Sequence, residues 1–499
     1  MRKVMEMQLS FGEIDISNIK FDLRSRDEIP KLLMGLQYLY CNKNIRDEVF
    51  AILESMVPKK INSKNGRPGM ELWKILVLGT LRLNCDWDYD KLQEMANNHM
   101  TLRQMLGHGD IDKDYKYAIQ TLKDNIKLFT PEILNRINRI VVKTGHTLVK
   151  KKEETIKVKV DSFVVKTNVH YPTDITLLLD AIRKVITLIV QLYTEPGLPG
   201  WRQSAYNFRS IKNLSRRIQK LKRSNSKNEK KKEQRDKLII EAYLAYLERV
   251  EINLKKAKEN IRVLNDDRPT TIIKVMEIEK YIKHAEKQIE QIKKRVLKSE
   301  KIPHDEKIFS IFEEYTEWIS KGKAGVPQEL GLRVCIVEDN HGFILNHQVM
   351  QKKTDDKVAV SIIQETKEKF PELNSCSFDK GFYTPDNREK LLELLDNVIL
   401  PRKGRLSQID KEIEYSEEFI KGRRKHSAVE SGINALEQHG LDMCPDHGIA
   451  GFKRYVALSV LSRNIQILGN IIQQKKLKQQ KRREKLWLAR KLKLYNIAA

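Results

Sequence analysis

Three acidic residues stand in contexts that suit phosphoryl chemistry. Asp161 lies within an otherwise apolar and basic run, Ile156-Lys-Val-Lys-Val-Asp-Ser-Phe-Val-Val. Asp379 ends a second short run, Ser375-Cys-Ser-Phe-Asp, just before Gly381. Glu430 falls in the first turn of a predicted helix, behind the basic run Lys421-Gly-Arg-Arg-Lys-His. Cutting or transferring a phosphodiester at neutral pH needs an activated water or 3′-hydroxyl and a stabilised leaving oxygen. Two divalent cations about 4 Å apart supply both. Mg2+ or Mn2+ prefers carboxylate oxygens, and Mg2+ takes few of them from the protein. Two strand acids and one helix acid can converge at one end of a sheet to provide them. Each acid alone has a plainer reading, as a sheet-edge or turn aspartate or as a glutamate favoured by the helix dipole. Their combination in one basic chain is what raises the chemical reading.

The chain is strongly basic. Of 499 residues, 93 are Lys or Arg and 67 are Asp or Glu, a net charge of +26. The surplus is concentrated, with twelve Lys or Arg against three acids between Lys212 and Lys237, and ten against one between Lys475 and Lys493. Either run alone reads as a solvated helix face. Two such runs favour nucleic acid over an anionic membrane surface, because each neutralised phosphate releases counterions. A hydrophobic content of 40% suits a folded protein, and the length suits about three domains. No uncharged apolar run reaches about 18 residues, so no transmembrane helix is expected. The N-terminus lacks an apolar signal core, which argues against secretion. Cys41, Cys85, Cys335, Cys376 and Cys444 form no Cys-x-x-Cys pair, which fits a cytoplasmic, reducing location and argues against structural zinc.

The elements that must position the acids follow from periodicity. Residues 1–150 read as helical, either a DNA-binding unit or a plain bundle. Helices are expected at 71–83, 90–106, 116–129 and 132–143; Gly66-Arg-Pro-Gly punctuates the first, and Thr130 caps the last with Pro131 in its first turn. At Thr155 the pattern changes to alternation, a strand. A helix over 174–192 and a Pro- and Gly-rich loop at 196–200 follow. Ile211 to Leu221, Ile240 to Leu264 and Ile278 to Val296 then carry apolar residues at alternating spacings of three and four, the seam of a coiled coil. The break at Asn265-Asp-Asp-Arg-Pro folds the two long helices back as an antiparallel hairpin, although the same seam could serve a dimer. After Gly325 come a hairpin (332–338 and 343–349, with Gly342 in its turn), a helix at 359–370, a strand at 375–379, a helix at 387–395, a strand at 398–401 and helices at 428–439 and 451–472. This order is an α/β pattern around one mixed sheet.

Three segments carry a resemblance. They are Val160-Asp-Ser-Phe-Val-Val-Lys-Thr-Asn-Val-His-Tyr-Pro-Thr-Asp with Leu177-Leu-Leu-Asp; Phe378-Asp-Lys-Gly-Phe-Tyr-Thr-Pro-Asp-Asn; and Arg424-Lys-His-Ser-Ala-Val-Glu-Ser-Gly-Ile-Asn-Ala-Leu-Glu through Gly451-Phe-Lys-Arg-Tyr. Together with Gly66-Arg-Pro-Gly, they resemble insertion-sequence DDE transposases of the unclassified group, which have a ribonuclease-H-like catalytic domain. The resemblance implies a ribonuclease-H-like mixed sheet over 155–172 and 326–470. It also implies a helical N-terminal DNA-binding domain over 1–150. The helical coiled-coil insertion over 173–325, read from the spacing, is unusual for these enzymes because it falls between the first two strands, and a basic helical tail over 471–499 ends the chain. Asp161 on the first strand, Asp379 on the fourth and Glu430 on a helix after the fifth would be catalytic and would hold two Mg2+ or Mn2+ ions. The implied partners are the double-stranded DNA of element ends and target, bound by a homodimer in a prokaryotic, nucleoid-associated setting, with no membrane. Related enzymes often carry Tyr, Arg and Lys seven before, four before and seven after the glutamate; here those positions hold Arg423, His426 and Glu437. Arg423, Arg424, Lys425 and His426 are therefore the candidates to contact DNA phosphate. The rival readings are a nuclease of the same class without strand transfer and a non-enzymatic coiled-coil nucleic-acid-binding protein.

Other residues have plainer explanations. Asp174 reads as a helix-start residue with Thr173 as cap. His170, His341 and His347 lack ligand spacing, and His439 and His447 around Cys444 lack a fourth zinc ligand. Trp201 and Tyr206, beside Arg202 and Arg209, can stack on an unpaired base, but packing on the helices is the simpler role.

Overall fold

The computed structural model describes residues 2–5, 12–57, 69–109, 114–150, 154–192, 201–223, 228–263, 268–320 and 328–498, with side chains to residue 489. Gly66–Pro68, the loop at 196–200, Asn265–Asp267 and Gly325 lie outside these residues. In chain order the N-terminal helices are α1 (Glu28–Cys41), α2 (Lys43–Glu54), α3 (Leu72–Asn84), α4 (Tyr89–Asn98), α5 (Met100–Met105), α6 (Ile119–Ile126) and α7 (Pro131–Val149). Strand β1 (Ile156–Thr167) follows, then α8 (Asp174–Leu192), α9 (Ser204–Arg223), α10 (Glu229–Val263) and α11 (Pro269–Ile292). The remainder is β2 (Glu317–Ser320), β3 (Gln328–Asp339), β4 (Ile344–Met350), α12 (Asp355–Lys369), β5 (Leu373–Phe378), α13 (Pro385–Leu394), β6 (Asn397–Ile399), α14 (Gln408–Glu414), α15 (Glu417–His426), α16 (Ala428–Leu436), β7 (Met443–Cys444) and α17 (Gly448–Ala498). Met1–Asn168 with Ile319–Ala499 make one compact unit, and Val169–Trp318 the other.

Among the described residues, β1 is central to an open mixed sheet of seven strands. It runs antiparallel to β3, from Val158 opposite Asp339 to Lys166 opposite Gly331, and parallel to β5. The hairpin from β3 to β4 turns at Gly342, whose φ of +84° suits glycine. β6 lies parallel beside β5, β2 pairs with β3, and β7 pairs with the end of β1. Alternation sends Val158, Val160 and Phe378 into a core with Val142 of α7, Ile362 of α12, Leu391 of α13 and Ile467 of α17. Lys159 and Asp161 face the opposite side, where α16 packs on β1 and α15 on β5.

The N-terminal helices belong to the same unit because α17 packs on α1, α3 and α7, and both α7 and α17 reach β4. Buried Asn138 and Asn464 donate to the Ile344 carbonyl at 3.0 and 2.8 Å. The expected helix over 90–106 is two helices, since the His99 ring accepts the Leu102 N–H at 3.2 Å and starts α5 afresh. Thr130 caps α7 through the Ile133 N–H, with Pro131 in the first turn. The stretch 471–498 continues α17 without a break, and from Gln474 to Ala489 that helix is almost wholly exposed.

In the second unit, ion pairs Lys258–Glu286 and Lys293–Glu251 record the antiparallel return of α10 and α11. The apolar seam is nevertheless shared by four helices. Leu178 and Ile182 of α8, Ile211 of α9, Tyr246 and Val250 of α10 and Ile282 of α11 join one core, with α11 lying chiefly on α8 and α10 on α9. The expected two-helix coiled coil is therefore a four-helix bundle, because the broad apolar face of α8 is covered by the same stripes. Trp201 is buried in this bundle, with Lys256 Nζ 4.6 Å from its ring, and so takes the packing role; Tyr206 is exposed. Thr173 caps α8, and Asp174 pairs with Arg295 at 2.7 Å.

Candidate active site

The register of β1 and β5 places two carboxylates side by side. Val160 lies opposite Phe378 in the last parallel pair. Asp161 and Asp379 are each one residue beyond it, where neighbouring strands are about 4.8 Å apart. Beyond this pair β5 has ended and β1 continues, which leaves an open side. The resulting cleft, about 730 Å³, is lined by Asp161, Asp379 and Glu430 together. Glu430 arrives on the first turn of α16, whose seat on the sheet is set by Gly432. A Cβ there would overlap the carboxylate of Glu338, which is held by Lys159 at 2.7 Å in a buried ion pair. Asp161 thus lies on β1, Asp379 directly follows the end of β5 rather than lying on that strand as expected, and Glu430 lies on α16, the third helix after β6.

The electrostatics agree with the geometry. Burial pushes the Asp161 carboxyl up to about 6; the Ser162 N–H opposes the shift, and the charges of Asp379, Asp355 and Glu430 add to it. Asp161 thus feels both other acids. Among the described residues, no three His, Cys, Asp or Glu side chains are drawn together closely enough to hold a metal ion as they stand. The donor set still suits a hard cation. It is all carboxylate, it faces one cleft, and its most buried member carries a desolvation and like-charge penalty that a cation would relieve.

The basic run before Glu430 divides. Arg423 and His426 of α15 line the cleft, whereas Arg424 and Lys425 are exposed on the same helix and do not. Burial lowers the His426 pKa, against the pull of Asp379 and Glu430, and its Nδ1 lies 3.1 Å from Ser377 Oγ. Glu437, seven residues after Glu430, also lines the cleft. Two other histidines are engaged elsewhere, His170 with Asp180 at 3.3 Å and His341 with Glu154 at 3.4 Å.

Sequence reasoning passed over Asp355 and Arg333, both in the cleft wall. Asp355, in the first turn of α12, accepts the Ser162 hydroxyl at 2.6 Å, while the Ser162 N–H donates to Asp161 Oδ1 at 2.7 Å. Ser162 therefore ties a fourth carboxylate to the first. In the sequence Asp355 looks like any acid at a helix start, and only the register of β1 brings Ser162 to it. No protein-family model, curated protein or solved structure matches this chain.

Proposed function

We propose that this protein is a DDE-type transposase of the insertion-sequence kind, with a ribonuclease-H-like catalytic domain that cuts DNA at element ends and joins the freed end to target DNA. The observation that carries the reading is the convergence of Asp161, Asp379 and Glu430, distant in sequence, on one cleft at the end of the β1–β5 pair. The strand order β4–β3–β1–β5–β6, with an antiparallel hairpin on one side of β1 and parallel strands on the other, supports that fold. Asp161, Asp379 and Glu430 would hold divalent ions, Mg2+ or Mn2+. When bound, such ions supply charge stabilisation to the attacking and leaving oxygens. Arg423 and His426, which line the same cleft, would position the scissile phosphate. The exposed cations of α9, α10 and α17 would hold the DNA backbone. Joining two ends is work for two active sites, so the acting species would be a homodimer on DNA.

The test is incubation of the purified protein with paired element ends, a target plasmid and Mn2+. Joined products are expected. Asp379→Ala is expected to abolish them while leaving DNA affinity within about twofold. Nicked DNA without joined products would make the protein a nuclease, and activity that survives in Asp379→Ala would remove the carboxylate cluster from the chemistry.

A further inference from the structure

We propose that Arg333 is a second phosphate clamp, which grips the DNA strand on the other side of the acids from Arg423. The inference rests on the reading that this cleft handles DNA, and it gives the path of the strand through it.

Arg333 belongs to β3, where it is paired with Val164 of β1 and Met350 of β4. Directly opposed residues share a face of the sheet, so its neighbours across both strands are apolar. It is half-buried and lines the cleft with Asp161, Asp379 and Glu430. Asp355 and Glu437 add two more carboxylates to the same lining. Among the described residues the Arg333 guanidinium nevertheless makes no ion pair and no hydrogen bond. The nearest acids have other donors: Asp355 accepts the Ser162 hydroxyl at 2.6 Å, and Asp161 accepts the Ser162 N–H at 2.7 Å. A cation held partly out of water with no partner carries an uncompensated desolvation cost. A phosphate would remove it, because the planar guanidinium fork matches two phosphate oxygens at once.

The place of Arg333 in the sheet decides which phosphate it takes. In the strand order β3–β1–β5–β6, Asp161 and Asp379 occupy the middle, on β1 and just past the end of β5. Arg333 stands to one side, on β3. Arg423 and His426 stand to the other, on α15, which packs on β5 and β6. Neighbouring strands are about 4.8 Å apart, so β3 and β5 are about 10 Å apart. A DNA strand advances about 3.4 Å per nucleotide along its helix axis. A strand that crosses the acids from α15 towards β3 would therefore meet both arginines within about three nucleotides, with the scissile phosphate between them. Arg333 thus binds a phosphate next to the one that reacts and is a substrate-binding residue; it has no part in the metal chemistry.

The experiment compares the full-length protein with its Arg333→Gln and Arg333→Lys variants. Fluorescence anisotropy on a labelled linear duplex is run over a range of salt, with Ca2+ in place of Mg2+ as the cation for the carboxylates. Arg333→Gln is expected to lower the slope of log affinity against log salt by about 0.9, the value of one phosphate, and Arg333→Lys to keep it. In the joining assay with Mn2+, Arg333→Gln should raise the DNA concentration that gives half the maximal rate about tenfold. The rate at saturating DNA should stay within about twofold, which is the pattern of a lost binding contact. An unchanged salt slope in Arg333→Gln, or an equal loss in Arg333→Lys, would overturn the clamp. So would a fall in the saturated rate with the half-maximal concentration unchanged, which marks a purely structural role. A lowered slope in a protein that proves unable to join DNA would leave the clamp standing and remove only the transposase reading.

Discussion

Asp161 bears the electrostatic strain of the cleft. Its carboxyl is held near 6, above the usual value, by burial and by the acids around it. The folded chain therefore keeps this proton to a higher pH than the unfolded chain does, so the residue's contribution to stability falls as pH rises from about 4 to about 6 and stays low above that. Asp161→Asn, which can still accept the Ser162 N–H, should leave stability unchanged near pH 4. At pH 7.5 in EDTA it should raise it by about 1–3 kcal/mol, since one pKa unit is worth about 1.4 kcal/mol. Urea unfolding at the two pH values measures this, and equal stability of the two proteins at pH 7.5 would show that Asp161 is not strained. The three acids were readable from type and local context. Asp355 was not, because nothing near it in the chain announces the Ser162 hydroxyl that it accepts.

At the scale of elements, the placement of Glu430 depends on how α16 sits on the sheet. Gly432 lets the helix close onto Glu338, and the buried Lys159–Glu338 pair fills the space beneath. Gly432→Ala adds a methyl where there is none to spare. If the protein cuts DNA as proposed, this variant should lower cleavage at least tenfold with DNA affinity unchanged, because displacements of about 1 Å at a reacting centre cost about a hundredfold. Full activity in that variant would mean that α16 has room to move. Lys159→Met removes the hydrogen-bonded ion-pair partner of the buried Glu338 carboxylate and should destabilise the fold by about 3–5 kcal/mol in urea titration. The helix and strand periods that build these elements were legible. The partners of the α10 and α11 stripes were not, since a three–four spacing records that a face is buried but not how many helices bury it.

Over the whole molecule, the surplus of 26 positive charges would make the DNA affinity of the proposed function a matter of counterions. Buried side chains of α17 end at Gln473, and the helix beyond carries an exposed basic face, with Lys476, Lys478, Lys481, Arg482, Arg483 and Lys485 opposed by Glu484. Truncation after Lys475 should therefore leave the melting temperature within about 2 °C. It should also weaken duplex binding and flatten the dependence of log affinity on log salt by roughly one for each DNA phosphate that the distal helix neutralises. An unchanged salt slope would show that the distal helix does not touch DNA. Among the described residues no helix is long and apolar enough to cross a membrane.

Composition, periodicity and the local settings of Asp161, Asp379 and Glu430 determined a basic α/β chain with one mixed sheet, a long helical insert and three candidate acids. These properties are short-range, written within a few turns or one strand. Tertiary structure alone decided that β5 stops one residue before Asp379 and opposite the residue preceding Asp161, that Gly432 docks Glu430 over them, and that Asp355 joins from α12. It alone decided, too, that the N-terminal helices lock onto the sheet through α17 and that four helices share the core of the insert. Register and docking are set by side chains far apart in the chain meeting in space, and no local pattern encodes which distant face a buried stripe will find.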